Sequence, residues 1–392
     1  MFVKLEKILS LIPSDLLSEL AIESKVDHFS KKLQGEVLFK LLLHCIISQK
    51  DNSLRMMQSA YESLIFQLIS NQSHQGKISI SSISERLSSI EVSYFEKLYT
   101  QCVSLYKQQL STTHQSHISF DSTIVALSSK LLKIGYVIHG GDAENYRQIK
   151  FTVGYSDIPE LVSFYIEQTN SSENVSLKDT ILKQSNQEKE KIKVFDRGIS
   201  SRSTYDELTA NGIQFVSRLN AKIKADIINS TDFFSPVETD TLFIEKDNWC
   251  QLYGDKGRKA QYPVRCIEAT SKKTGEKLIF STNLTDLKAE EITILYKKRW
   301  DIEVFFKALK QLFNFKHFVN RSENGIQVIM YVTMIASILL TAYKKEYGLS
   351  GYKIAKQQFA TELETLLLKE LIQMCGGNPK LLNTFLNKNS TS

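Results

Sequence analysis

The 392-residue chain has few of the residues that interrupt or cross-link a polypeptide. It contains five prolines and 16 glycines, so we predict that helices and strands predominate over loops. The cysteines are odd in number and far apart: Cys45, Cys102, Cys250, Cys266 and Cys375. Without a Cys-x-x-Cys pair or a Cys/His cluster, a zinc site is disfavoured, and reduced cysteines in a cytoplasmic protein are predicted.

The N-terminal sequence has no long apolar stretch followed by small residues, as a signal peptide would. One apolar segment, residues 326–343, is long enough to cross a bilayer. It carries Gln327, Thr333, Ser337 and Thr341 and stands alone in the sequence. We therefore predict that it is a buried core helix, with no membrane partner.

Charge of either sign is modest. Lys and Arg total 49 against 43 Asp and Glu, a formal net charge of +6. This balance fits a nucleic-acid partner without requiring one. The hydrophobic fraction of 42% suffices for a large core and two or three domains.

The pattern along the chain predicts a mixed α/β fold with a helical N-terminal part. Helical spacing of apolar residues extends to about residue 115, a region that either recognises DNA ends or packs as a helical bundle. Strand and helix patterns then alternate, and a β-rich stretch precedes more helices. The predicted divisions are 1–115 (helical), 116–220 (first part of the catalytic domain), 221–286 (β-rich insertion), 287–348 (completion of the catalytic domain) and 349–392 (C-terminal helices).

The segment LYKKRWDIEVFFKALKQ carries the strongest motif. It is predicted to lie in one long helix from about Ala289 to Phe315. There, Tyr296, Arg299, Glu303 and Lys310 share a narrow stripe at offsets of zero, three, seven and fourteen residues. A carboxylate can bind a metal, and Arg, Lys and Tyr can bind phosphate. The alternative is an ordinary surface pair between Arg299 and Glu303.

Two aspartates precede this helix on predicted strands. Asp121 interrupts the strand ISFDSTIVAL, where a carboxylate is costly to bury without a cation or donors. Asp196 follows the strand IKVF directly, although a strand-end aspartate can also be a simple turn residue. Together with Glu303 they could converge on hard cations, Mg²⁺ or Mn²⁺, with two ions suited to phosphodiester chemistry.

These motifs resemble the insertion-sequence transposases of family four, over roughly residues 117–345. The spacing of Tyr296, Arg299, Glu303 and Lys310 matches that family's Tyr-Arg-Glu-Lys signature, and DST at Asp121 and DRG at Asp196 resemble its acidic motifs. The resemblance implies a ribonuclease-H-like catalytic domain that cuts the terminal inverted repeats of a mobile element and joins them to target DNA. The two aspartates and Glu303 would hold the metal ions, while Tyr296, Arg299 and Lys310 would position the DNA.

Further expectations concern DNA contacts. Lys298 and Lys307 are predicted to contact phosphates. Trp249, in the β-rich insertion, either stacks on a displaced base or is a partly buried structural residue. One departure from the family is Ile199, where an aromatic residue is common; it puts a local packing or base contact in doubt.

The resemblance also implies a prokaryotic cytoplasmic protein that joins the nucleoid when bound to double-stranded DNA, and it makes a homodimer on DNA plausible. Two alternatives stay open. One is a catalytically silent DNA-binding protein on the same fold. The other is a metal-dependent nuclease that does not transfer strands.

Overall fold

A computed structural model describes residues 2–28, 30–49, 53–70, 76–111, 116–127, 135–137, 147–199, 201–220, 223–230, 235–254, 257–313 and 318–381. The chain divides into two compact units. The helical unit comprises residues Met1–Thr112 and Lys307–Ser392, and the sheet unit comprises Thr113–Phe306. The five sequence divisions given above remain predictions.

The helical unit is built from helices on both sides of the sheet unit in sequence. Its helices are α1 (Phe2–Leu9), α2 (Ser14–Ser24), α3 (Gly35–Ser48), α4 (Leu54–Tyr61), α5 (Leu64–Ser70), α6 (Ile80–Ser89), α7 (Val92–Gln109), α12 (Glu323–Glu346) and α13 (Tyr352–Met374). The predicted helical N-terminal part is therefore confirmed.

Helix α12 contains the long apolar segment and is long and apolar enough to cross a membrane. Yet 89% of its most apolar window is buried, against α3, α6, α7 and α13. The hydroxyls of Ser337 and Thr341 donate to backbone oxygens one helical turn earlier, at Met334 and Ser337. Hydrophobic burial and internally satisfied hydroxyls are the properties of a core helix, as the sequence predicted.

The sheet unit holds one large mixed sheet. Its strands are β1 (His117–Leu127), β2 (Tyr136–Val137), β3 (Arg147–Tyr155), β4 (Pro159–Tyr165), β5 (Ile192–Phe195), β6 (Phe215–Leu219), β7 (Ala225–Ser230), β8 (Val237–Glu238), β9 (Leu242–Leu252), β10 (Val264–Ser271) and β11 (Lys277–Thr282). The strand order is β2-β3-β1-β5-β6-β11-β10-β9-β7, with β4 also paired to β3 and β8 to β9. The predicted mixed α/β class is confirmed.

Strand directions divide this sheet into two halves. In the first, β1, β5 and β6 are parallel neighbours, and β3 runs antiparallel to β1. In the second, β11 pairs antiparallel with β6, and β10, β9 and β7 continue outward. The strands of the predicted insertion thus extend the same sheet. The motifs did not foresee β7, β8 or the pairing of β11 with β6.

Helices cover both faces of the sheet because its strands are apolar on both sides. On one face, α8 (Glu173–Gln187) and α9 (Arg202–Ala210) bury Leu177, Ile181, Tyr205 and Leu208 against a cluster that includes Phe195. On the other face, α10 (Ala289–Lys298) packs Ala289, Ile292 and Leu295 against Val194, Val216 and Phe280. This second face also carries the candidate site.

The predicted single helix from Ala289 to Phe315 is wrong in one respect. It is divided at Arg299 into α10 and α11 (Trp300–Leu312), and residues 314–317 lie outside the described part. The amide of Arg299 donates to the Tyr296 oxygen at 3.0 Å, and that of Ile302 donates to the Arg299 oxygen at 3.2 Å. These three-residue spacings mark a tight 3₁₀ turn in place of the α-helical pattern.

Candidate active site

The two predicted aspartates lie on neighbouring strands. Parallel pairing of β1 with β5 sets Phe120 opposite Phe195. Asp121 is the next residue of β1, and Asp196 directly follows the end of β5, on neighbouring chain segments about 4.8 Å apart. Both phenylalanines are fully buried in the core beneath α8 and α9. Since side chains alternate along a strand, both carboxylates belong to the opposite face, on the side of α10 and α11.

Arg299 stands between the acidic residues. Its Nη1 lies 3.6 Å from Oδ2 of Asp121, and its Nη2 lies 2.6 Å from Oε1 of Glu303. The Arg299 side chain is only 12% exposed, and its guanidinium lies 5.6 Å from the centre of the Tyr296 ring. The arginine therefore links the signature helix to the strand aspartate. The Arg299–Glu303 pair of the alternative is present, but Arg299 is largely buried and also contacts Asp121.

Packing of α11 on the sheet sets the position of Glu303. Phe305 stacks on Tyr155 of β3 with ring centres 4.9 Å apart, and Ile302 is fully buried. Glu303, between these two anchors, keeps a side chain 34% exposed. A partly exposed carboxylate held beside a buried arginine can exchange that partner for another cation.

A fourth carboxylate was missed by the sequence reasoning. Glu173 begins α8, and its Oε2 lies so close to Gly198 that a Cβ there would overlap it. The same Cβ would lie 2.8 Å from Oδ1 of Asp196, and that oxygen accepts the Gly198 amide at 2.8 Å. Gly198 thus leaves room for two acidic groups to approach each other. In the sequence Glu173 was only an acidic residue at a helix start, which is common and uninformative.

The carboxylates influence one another electrostatically. Burial, followed by the charges of Asp196 and Glu173, raises the pKa of Asp121 from 3.8 to about 6. The amide of Ser122, which donates to Asp121 at 2.7 Å, and the charge of Arg299 oppose this rise. Burial and Asp196 also raise the pKa of Glu173, against the effect of Lys150. The site therefore has more negative charge than Arg299 offsets.

Tyr296 adds a phenol to this side of the sheet. Its ring packs edge-on to Phe280 of β11, with centres 5.2 Å apart. Burial raises its pKa, Arg299 and Arg218 lower it, and Asp196 raises it. These couplings place the phenol, two guanidiniums and a strand aspartate in one neighbourhood. Such a set can bind phosphate oxygens and order a metal-binding carboxylate.

Comparison with known proteins agrees with this geometry. Residues 112–339, more than half of the chain, match the family described as "Transposase DDE domain". The chain belongs to the transposase DDE domain family. The matched region includes all four carboxylates and the whole signature from Tyr296 to Lys310.

Two relatives bear transposase names. The chain is 24% identical over 147 residues to a protein of Sinorhizobium fredii whose name assigns it as the transposase y4zB. It is 26% identical over 151 residues to a Geobacillus stearothermophilus protein named as a transposase for insertion sequence element IS5377. Each match covers 38% of this chain, and 41% and 39% of the respective relatives. The chain thus spans about two fifths of the length of these relatives.

Membership in the DDE family implies divalent metal ions, and the donor set suits them. Carboxylate oxygens are the preferred ligands of Mg²⁺ and Mn²⁺, and a cation beside Asp121 would offset both the burial and the neighbouring negative charges that raise its pKa. Within the described residues, no three Asp, Glu, His or Cys side chains form a ready-made metal site. Glu303 is instead held by Arg299, so a metal ion shared by the three predicted residues would require that contact to loosen.

The other residues predicted to contact DNA lie on β9, α10 and α11. Trp249 is half-buried on β9, four strand positions from β5 and so about 19 Å across the sheet. Lys298 is exposed at the end of α10. Burial and the charge of Lys298 lower the pKa of His117 to about 4. Lys298 therefore lies near the start of β1, where His117 stands. Lys307 and Lys310 follow on α11, in the part assigned to the helical unit.

Ile199, the departure from the family pattern, is fully buried in the core beneath α8 and α9. Its carbonyl accepts the hydroxyl of Tyr205 at 3.0 Å. An aliphatic residue at this position therefore serves packing.

Proposed function

We propose that the chain is a transposase that cuts double-stranded DNA at the terminal inverted repeats of an insertion sequence and joins the ends to target DNA. Asp121, Asp196 and Glu303 are the proposed metal-binding triad on a ribonuclease-H-like sheet, in a protein of the insertion-sequence family four type. Tyr296, Arg299, Lys298, Lys307, Lys310 and Trp249 are the proposed DNA-binding residues. Action as a homodimer on DNA in a prokaryotic cytoplasm belongs to the same proposal.

The observation that carries the proposal is the meeting of remote residues. Asp121, Arg299 and Glu303 are joined by contacts of 3.6 and 2.6 Å, and Asp196 occupies the adjoining strand. A surface ion pair has no reason to include a buried strand aspartate or to raise its pKa. A site for a doubly charged cation does, because its carboxylates repel each other until the cation binds.

Each residue has a distinct task in this proposal. Two Mg²⁺ or Mn²⁺ ions, when bound by the triad, would activate a water or 3′-hydroxyl and stabilise the leaving oxygen. Asp121 and Asp196 stand on rigid strands and fix the position of the site. Glu303 joins from α11 as Arg299 releases it. The freed guanidinium then turns to a phosphate oxygen, which Arg binds in a fork-like geometry, and Tyr296 holds the guanidinium by its ring.

Glu303→Gln provides the test of this function. The substitution removes one negative charge from the triad, so we expect metal-dependent cleavage and strand transfer to fall by at least a hundredfold, with DNA binding largely kept. The substrates are duplexes carrying the sequences that flank the coding region on each side, mixed with plasmid target in Mg²⁺ or Mn²⁺.

Asp301→Asn is the matched control, since it removes an exposed carboxylate from the same helix. Undiminished cleavage by the Glu303 variant would refute the assignment. Cut DNA without joined product from the wild-type protein would favour the nuclease, and binding without any cleavage would favour the silent DNA-binding protein.

A further inference from the structure

A cavity of about 380 Å³ opens beside Asp196, at the carboxyl ends of β5 and β6. Crevices outside the carboxyl ends of neighbouring parallel strands are common ligand sites. Side chains that line the cavity include Arg197, Arg202, Arg218, Glu173, Asp196 and Tyr205. We call it the arginine cavity, because three guanidinium-bearing residues meet there. None of the three belongs to the Tyr-Arg-Glu-Lys signature.

Arg218 has donors to spare. It projects from β6, and its Nη2 lies 2.5 Å from Oε1 of Glu276. Its Nε is buried, and among the described residues that atom has no hydrogen-bond partner. An arginine needed only for the pair with Glu276 would leave a buried N–H unsatisfied, which destabilises the folded state. An anion in the cavity could accept this N–H once the Arg218 side chain turns toward it.

The neighbouring residues point to an anion bound next to the catalytic group. Arg197 follows Asp196 directly and is exposed, so it can turn toward the cavity without disturbing a core. Arg218 also acts electrostatically on Tyr296, which connects the cavity with the signature. Three arginines outnumber the two carboxylates, Glu173 and Asp196, that share the lining.

We propose that the arginine cavity binds a backbone phosphate of the DNA strand that is cut, beside the phosphate that reacts. This inference rests on the proposed function, since it assigns a second contact for the same substrate. Arg218 supplies the buried donor, and Arg197 closes over the phosphate from the rim. Phosphate recognition by paired guanidiniums is among the strongest hydrogen-bonded contacts that proteins make.

Arg218→Gln tests the proposal by binding alone. Affinity for a short DNA duplex is measured by fluorescence anisotropy in EDTA over a range of salt concentrations. Each neutralised phosphate contributes about 0.9 to the slope of log affinity against log salt. We expect the variant to lose about that much slope and to bind roughly tenfold more weakly at low salt. Lys246→Gln is the matched control, because Lys246 is also paired, with Glu268 at 3.2 Å, and lies on β9.

A second measurement guards against misfolding of the Arg218 variant. Arg197→Gln changes an exposed side chain and should lower the slope without altering thermal unfolding. In the wild-type protein, modification of arginines by phenylglyoxal, read by mass spectrometry, should be slowed at Arg197 and Arg218 by the duplex. Inorganic phosphate at the same phosphate concentration should protect them less, which distinguishes a DNA strand from a free anion.

The proposal is overturned if the salt slope is the same for the wild type, the two arginine variants and the Lys246 control. It is also overturned if Arg197 and Arg218 are modified at the same rate with and without DNA. Stronger protection by inorganic phosphate than by DNA would also overturn it. Because no metal or cleavage is involved, these outcomes are independent of the Glu303 test. If Glu303→Gln abolishes cleavage while the arginine variants keep the wild-type salt slope, the phosphate-binding role of the cavity is rejected and the transposase assignment is kept.

Discussion

Replacement of Asp121 by Asn should stabilise the metal-free protein at neutral pH. The Asp121 carboxylate is only 22% exposed and is repelled by Asp196 and Glu173. Asparagine keeps nearly the same shape and can still accept the Ser122 amide at its Oδ1, but it carries no charge. The substitution therefore removes an electrostatic cost and leaves the packing of β1 unchanged.

The magnitude and its pH dependence follow from the pKa of Asp121. Folding raises this pKa from 3.8 to about 6, and one pKa unit corresponds to about 1.4 kcal/mol. The charged form therefore costs the folded state about 3 kcal/mol. Below pH 3.8 the wild-type group is protonated in both states, so wild type and variant should be similar. As pH rises through about 6 the wild type loses this stability, and the variant's advantage should reach its full size above that value.

Urea unfolding in EDTA, followed by tryptophan fluorescence from pH 4 to pH 8, measures the effect. Both tryptophans of the chain, Trp249 and Trp300, lie in the sheet unit, so the signal reports the unit that holds the site. Asp240→Asn, which removes an exposed carboxylate before β9, is the control. A variant no more stable than wild type at pH 8, or an equal gain in the control, would show that the site does not repel its own charge.

Two further predictions concern the surroundings of the site and the helical core. Gly198→Ala should expel the flexible Glu173 carboxylate at a cost below about 1 kcal/mol; carbon-13 NMR titration should then give Asp121 a lower pKa, and an unchanged value would contradict the contact. Leu339→Ala, at a fully buried position of α12, should destabilise the helical unit by about 2–5 kcal/mol in urea unfolding followed by circular dichroism. Leu368→Ala, at a half-exposed position of α13, should cost far less; similar losses would argue against burial of α12.

The local pattern of apolar residues predicted most of the helices and strands but did not predict how the strands pair. Strands at Asp121 and Asp196 and helices after residue 200 and at 326–343 were predictable because period-two and helical apolar patterns are local properties. The attachment of β11 to β6 was not, because strand pairing depends on long-range register that a single sequence does not record. The strands of the predicted insertion therefore extend the same sheet as β1, β5 and β6.

Within the candidate site, the residues that were predictable are those whose type is unusual for their place. A carboxylate in the apolar strand of Asp121 is costly, and that cost is visible in the sequence. Glu173 was hidden because an acid at a helix start is ordinary. Arg218 was hidden because it lies on a short strand, between Ser217 and Leu219, with no motif around it. Both became recognisable only when folding placed them beside Asp196.

The helix break at Arg299 follows from packing on two separate parts of a twisted sheet. Helix α10 packs over β5, β6 and β11 through Ile292, Leu295 and Tyr296, whereas α11 packs over β3 through Phe305. In the strand order, β1 lies between β3 and the strands on which α10 packs. A twisted sheet does not offer one straight helix good packing at both places, so the chain tightens into a 3₁₀ turn midway. That turn holds Arg299 above β1, where Asp121 projects. Neither Pro nor Gly marks the break, so no sequence rule announces it; the packing that bends the helix also aims its arginine.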